Sequence, residues 1–150
     1  MLIKIPPPVI GLLCAGTMWL LASHLPLYSF NLSWLVPLAV LVAVIAVAVD
    51  LSALWSFRKA KTTINPLTPG KTSTVVTHGI YRYSRNPMYV GMLGLLIAFA
   101  LYLGKVSPWL IPPLFIWMIT INQIVPEEKA LEQLFGEHYR QYKNTVRRWL

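Results

Sequence analysis

Two short stretches carry side chains that chemistry could use. The first is Thr77-His78-Gly79-Ile80-Tyr81-Arg82-Tyr83-Ser84-Arg85-Asn86-Pro87-Met88-Tyr89, dense in hydrogen-bonding and aromatic groups. The second is the adjacent carboxylate pair Glu127-Glu128. A glutamate accepts hydrogen bonds from hydroxyls or an amino group, an arginine or asparagine can hold a carboxylate, and tyrosine faces can border a cation. Each residue also has a plainer reading. Arg82 and Arg85 suit cytoplasmic anchors, Tyr81, Tyr83 and Tyr89 an aromatic belt, Pro87 a helix start, and the two glutamates a helix N-terminus favoured by its dipole. Topology alone, however, does not call for so dense a polar run, and adjacent carboxylates at a membrane boundary are expensive unless paired or functional. Metal chemistry has no comparable support: the single Cys14 sits in an apolar run, and no ligand spacing joins it to His24 or His138.

These stretches must be positioned by membrane-spanning helices. A 150-residue chain has room for one domain, and 56% hydrophobic content with 12% charge is too oily for a soluble domain of that size. The first span is expected at 9–27, read as retained rather than as a signal peptide. The second is expected at 32–57, with Asp50 its only acid and Arg58-Lys59-Ala60-Lys61 as a basic stop. Residues 58–87 form a polar connector with turn signals at Asn65-Pro66 and Pro69-Gly70. Spans at 88–103 and 109–125 then make a helical hairpin around Gly104 to Pro108, with Pro112-Pro113 bending the last one near its start. Residues 126–150 form a cytoplasmic tail of short interfacial helices, divided at Gly136, with Leu131, Leu134, Phe135, Tyr139, Tyr142 and Val146 on the apolar side. The expected fold is therefore all-α: a single polytopic membrane domain of about four transmembrane helices.

Charge placement gives the expected orientation. The net charge is +8, and eleven of the thirteen Lys and Arg lie on the 58–87 connector and the tail after Pro126. Basic residues flanking apolar spans report topology rather than nucleic-acid binding, and the positive-inside rule puts connector, tail and both termini in the cytoplasm. The expected location is the cell inner membrane or its equivalent, with the bilayer as the principal partner. Asp50 is expected to neutralise Arg58 or another base, and Gly91, Gly94 and Ala98 to mark close helix contact.

The order Asn65-Pro66, Thr77-His78-Gly79-Ile80-Tyr81, Arg85-Asn86-Pro87-Met88-Tyr89, Glu127-Glu128 and Phe135-Gly136-Glu137-His138-Tyr139 with Tyr142-Lys143 resembles the isoprenylcysteine carboxyl methyltransferase and phospholipid methyltransferase superfamily of integral membrane enzymes. The resemblance covers roughly the last ninety residues. It implies S-adenosylmethionine as methyl donor, bound without a Rossmann fold; the chain has no Gly-x-Gly-x-x-Gly fingerprint following a strand. By position it implies cofactor contacts at Ser73, Thr74, Val75, Val76, Tyr81, Asn86, Pro87, Met88, Tyr89 and Glu127. It assigns catalysis to Arg85, Asn86 and Glu127. The motif histidine of the family is Asn86 here, which keeps hydrogen-bonding capacity without a titratable ring. Gln123 stands where the eukaryotic prenylcysteine enzymes carry a substrate-contacting arginine, so a neutral amide takes the substrate position.

The function this implies is methyl transfer from S-adenosylmethionine to a lipophilic or membrane-associated acceptor entering from the lipid side. Two alternatives come from other classes: a non-enzymatic four-helix assembly or transport partner, and a nicotinamide-dependent membrane reductase. Cofactor binding separates them.

Overall fold

A computed structural model describes residues 5–60 and 75–150. Ser73 and Thr74, two of the expected cofactor contacts, lie outside the described residues, as does Asn65-Pro66. Helix α1 runs Pro7–His24 and α2 Leu35–Lys59. A 3-10 turn at Gly79–Arg82 leads into α3, Pro87–Leu103. A second 3-10 turn, Ser107–Leu110, opens a long helix built from α4 (Ile111–Ile119), a π-helical turn (Thr120–Ile124) and α5 (Val125–Phe135). Helix α6 covers Glu137–Thr145. No strand occurs among the described residues beyond an isolated bridge between Ser29 and Lys105.

The chain is thus an all-α polytopic membrane protein. Three helical stretches, Pro7–His24, Leu35–Lys59 and Ser107–Phe135, are long and apolar enough to cross a membrane, and α3 is a shorter apolar helix. Seventeen residues at ~1.5 Å each give α3 about 25 Å, slightly under the hydrocarbon thickness. The outward faces are apolar, with Leu12, Leu13, Val40, Val44, Leu51 and Trp55 all exposed. In water that surface would be costly; facing lipid it is the expected one.

Burial follows narrow stripes. In α1 the buried positions are Ile10, Cys14, Met18 and Ala22, spaced four apart, so that one side alone meets the protein. Ile10, Cys14 and Met18 join Leu96 and Ala100 of α3 and Ile111, Phe115 and Ile119 of α4 in the main core. Helix α2 approaches α3 through small residues. A Cβ added to Gly94 would come within 2.8 Å of the Ala46 side chain, and one added to Gly91 would run into the Asp50 carboxylate. The expected close contact along Gly91 and Gly94 is therefore present, and its partner is α2. The expected pairing of Asp50 with Arg58 is not: among the described residues Asp50 has no ion pair, and its buried Oδ1 has no hydrogen-bond partner.

The last span differs from expectation at both ends. Pro112 and Pro113 stand in the first turn of α4, where a missing backbone donor costs nothing, so they start the α-helix behind the 3-10 turn. At the other end the helix does not stop at Val125 but continues to Phe135, 29 residues in all. Pro126 would clash with the carbonyl one α-turn earlier and leave it without a donor. The π-helical turn just before it widens the backbone by one residue, with the Val125 N–H reaching back to the Thr120 carbonyl. The carboxylates at 127 and 128 consequently project from the first turn of α5 rather than from a free tail.

Candidate functional site

The central motif and the carboxylate pair meet at the end of the bundle where α3 begins and α5 follows the π turn. Pro87 and Asn86 set the start of α3: proline occupies the first turn, and the Asn86 carbonyl accepts the Tyr89 and Val90 N–H groups at 3.0 and 3.1 Å. Ser84 is buried, and its hydroxyl takes the Asn86 N–H at 3.1 Å, fixing the bend between the 3-10 turn and the helix. Tyr89 then projects toward α5, where its hydroxyl donates to Glu127 Oε1 at 2.8 Å. That bond joins the two stretches directly.

The second carboxylate is buried between two guanidinium groups. Glu128 lies 3.2 Å from Arg85 Nη1, with both side chains under a tenth exposed. On its other side Arg148 donates to both carboxylate oxygens, Nε at 3.0 Å and Nη2 at 2.9 Å. Glu128 holds the Arg148 guanidinium above its usual range, chiefly through these hydrogen bonds. The Arg85 contact is unlike them. Its Nη1 approaches Glu128 without hydrogen-bond alignment, and both Nη1 and Nε are buried with no hydrogen-bond partner. Arg85 is thus a buried cation with donors to spare, aligned toward neither oxygen of its counterion.

A strap formed by residues 146–150 closes over this end. The Arg147 carbonyl accepts the Arg85 N–H at 3.0 Å, and the Arg148 carbonyl accepts the Asn86 side-chain amide at 2.9 Å. The Trp149 indole donates to the Thr120 hydroxyl at 3.2 Å, tying the strap to the π turn. Helix α6 adds a further clasp, because the buried Tyr142 hydroxyl donates to the Tyr81 carbonyl at 2.7 Å. Burial raises the Tyr142 phenol above its ordinary range and pushes Tyr139 up to about 12, with Glu128 adding to the shift at Tyr139 and Arg85 opposing it. Both therefore stay protonated at neutral pH, as a donor must.

Tyr81 completes the site from the α2 side. It is buried against Ala53, meets the Phe57 ring edge-on at 5.4 Å and packs with Val76 and Met88. Burial first, then the neighbouring Tyr142, Glu127 and Asp50, drives its phenol well above the usual range. The charges of Glu127 and Asp50 thus both act on that phenol.

Of the residues expected from sequence, the structure brings Tyr81, Arg85, Asn86, Pro87, Tyr89 and Glu127 to one end of the bundle, with Met88 and Val76 packed beside Tyr81. Val75 lies at the partly buried edge of the connector, next to Val76. Gln123 is turned elsewhere: it is buried in the π turn, and its amide nitrogen donates to the Ile5 carbonyl at 2.8 Å ahead of α1. Glu128, Tyr142 and Arg148 are structural partners that carried no site assignment from sequence. Arg148 gave no distinguishing signal, since Arg147-Arg148 reads as an ordinary basic anchor. Tyr139 and Tyr142, expected on an interfacial face, are turned into the protein. Among the described residues no group of three His, Cys, Asp or Glu side chains could hold a metal ion.

Comparison with known proteins agrees with this architecture. An uncharacterized protein of Haemophilus influenzae is 48% identical over 63 residues, 42% of this chain and all of that protein. A protein-S-isoprenylcysteine O-methyltransferase of Schizosaccharomyces pombe is 36% identical over 76 residues, 51% of this chain and 32% of that one. Its Mus musculus counterpart is 33% identical over 75 residues, 50% of this chain and 26% of that one. The chain spans about a third or less of the length of these isoprenylcysteine enzymes. No solved structure matches. The profile of the phospholipid methyltransferase family matches residues 34–138, from the start of α2 through both candidate stretches and into α6. The chain therefore belongs to the phospholipid methyltransferase family, within the superfamily that also contains the isoprenylcysteine methyltransferases.

Proposed function

We propose that this protein transfers a methyl group from S-adenosylmethionine to a lipophilic acceptor at the membrane boundary. The observation that carries this reading is the buried Arg85 guanidinium with two N–H-bearing nitrogens that have no aligned partner, set beside the Tyr89–Glu127 pair. An amino-acid carboxylate would satisfy those donors with charge-assisted hydrogen bonds. Glu127 would accept from the cofactor's hydroxyl or amino groups, and Tyr81 and Tyr89 would border the rest. The side chains present thus fit the cofactor's charges, and family membership gives the same direction.

S-adenosylmethionine supplies an activated methyl carbon on a sulfonium. The protein's task in such a direct displacement is alignment and exclusion of water, and it requires no acid–base dyad at the cofactor. Tyr89 orients Glu127 through its 2.8 Å hydrogen bond, and Glu128 with Arg148 holds Arg85 in place from behind. Asn86 uses its side-chain amide on the strap, which makes it a positioning group for the start of α3. The apolar exterior favours an acceptor that arrives through lipid. The cluster of Arg and Lys around this end supports a cytoplasmic location for it and for both termini.

Isothermal titration of the detergent-purified protein with S-adenosylmethionine and S-adenosylhomocysteine tests the reading, with Glu127→Ala as control. Micromolar binding that the variant loses is the expected result. Absence of binding by folded protein would overturn the enzymatic assignment.

A further inference from the structure

The seam of α2 that faces α3 and the Tyr81 turn contains Ala46, Asp50, Ala53 and Phe57, one helical turn apart each time. Three of these four are apolar. Asp50 is the exception, nine residues before Lys59 and so about 13 Å along the helix from its basic end. An ionisable side chain inside a span is costly, and such a cost ordinarily comes with a partner. Here there is none: Asp50 has no ion pair among the described residues, and Oδ1 is buried without a hydrogen bond. The space for the carboxylate exists because residue 91 is glycine; any Cβ there would overlap it.

The position of this carboxylate ties it to the site. One turn toward the basic end, Ala53 packs against the buried Tyr81, and the charges of Asp50 and Glu127 both push its phenol up. Gly91 lies in the second turn of α3, two residues beyond Tyr89. Asp50 is only partly buried as a residue, so the seam is not sealed around it. An unpaired carboxylate inside a span, close to the proposed cofactor site, is the right group to receive the polar head of a molecule whose tail stays in the bilayer.

We propose that Asp50 reads the head of the methyl acceptor, accepting an N–H or O–H hydrogen bond from an amine or hydroxyl and turning away a carboxylate. This inference rests on the methyltransferase reading for its chemistry. The acceptor's lone pair forms the new bond to the methyl carbon while the carbon–sulfur electron pair leaves with sulfur. Positive charge thereby passes to the acceptor's heteroatom, and its proton passes to the Asp50 carboxylate. A carboxylate head has no proton to give and meets a like charge in a medium that screens poorly.

The test uses the full-length protein in nanodiscs with dodecylamine, dodecanol and dodecanoate as probes, and compares wild type with Asp50→Asn, Asp50→Ala and Asp50→Glu. Wild type is expected to methylate the amine or the alcohol and not dodecanoate. Asp50→Asn should raise the acceptor KM about tenfold or more and lower kcat, through loss of a charge-assisted bond and of the proton acceptor, with S-adenosylmethionine affinity unchanged. Asp50→Glu should restore part of the loss. An unchanged acceptor KM in Asp50→Asn, or preference of the wild type for dodecanoate, would overturn the proposal while leaving the methyltransferase reading intact. If wild type fails to bind S-adenosylmethionine, the enzymatic reading falls, and the role of Asp50 is decided by direct titration with dodecylamine. Binding lost in Asp50→Asn supports recognition, and equal binding in both proteins overturns it.

Discussion

The two ends of the helical bundle are built by different rules. At one end the chain reverses between α1 and α2 and again between α3 and α4, and the two reversals pair with each other. The Phe30 N–H donates to the Gly104 carbonyl at 2.7 Å and the Val106 N–H to the Tyr28 carbonyl at 3.0 Å. Gly104 takes the left-handed conformation that ends α3, at φ +59°. Lys105 is spent on the Ala22 carbonyl and the fully buried Ser107 on the Leu21 carbonyl. At the other end charged side chains gather, two arginines share one glutamate, and a buried guanidinium keeps unmatched donors. Neutral backbone pairing closes a fold, whereas surplus buried charge marks the place where a ligand is expected. The contrast supports the proposed site without reference to any relative.

The strongest way to break this contrast is Glu128→Ala. It would leave Arg85 buried with no counterion, which costs ~3–5 kcal/mol, and thermal unfolding in detergent should show a large fall in Tm together with loss of cofactor binding. Next comes Tyr89→Phe, which removes the hydrogen bond orienting Glu127. Because that bond meets a carboxylate, the expected loss is ~1.5–3 kcal/mol of S-adenosylmethionine affinity, read by titration, with Tm reduced far less. Tyr142→Phe deletes a neutral bond to the Tyr81 carbonyl and should cost about 1 kcal/mol in stability, with a smaller change in affinity. Smallest of all, Lys105→Met at the opposite end should lower Tm slightly and leave cofactor affinity unchanged. A loss of affinity in Lys105→Met equal to that of Tyr89→Phe would dissolve the distinction between the two ends.

Much of this was legible in the residues because the signals were local. Apolar runs located the helices to within a few positions except at the far end of the last one, which runs ten residues further to Phe135, and Glu127 with Tyr89 stood out as polar groups at the ends of such runs. Three features were not legible, each because it depends on distant contact or backbone detail. Pro126 reads as a helix stop, yet the π turn lets the helix pass through it. Arg148 has the same residue type and setting as any basic anchor, and only the fold brings it to Glu128. Asp50 looks like half of an ion pair with Arg58; the register of α2 against α3 turns it toward Gly91 instead, and it has no ion pair among the described residues. Gln123, expected at the substrate from its place before Glu127, also donates to the Ile5 carbonyl, a distant partner that its sequence setting does not announce.

The strap over the charged end also governs timing. Asn86 is bound to the backbone of a residue 62 positions later, and Arg85 likewise to Arg147. Contacts of such separation form late, after the intervening helices have inserted and closed the loop between them. A chain emerging from the ribosome therefore has its four apolar helices and its whole central motif before it has a site. On the proposed reading, ligand affinity becomes a readout of completed insertion, silent in any intermediate whose helices are all present but whose strap is still undocked.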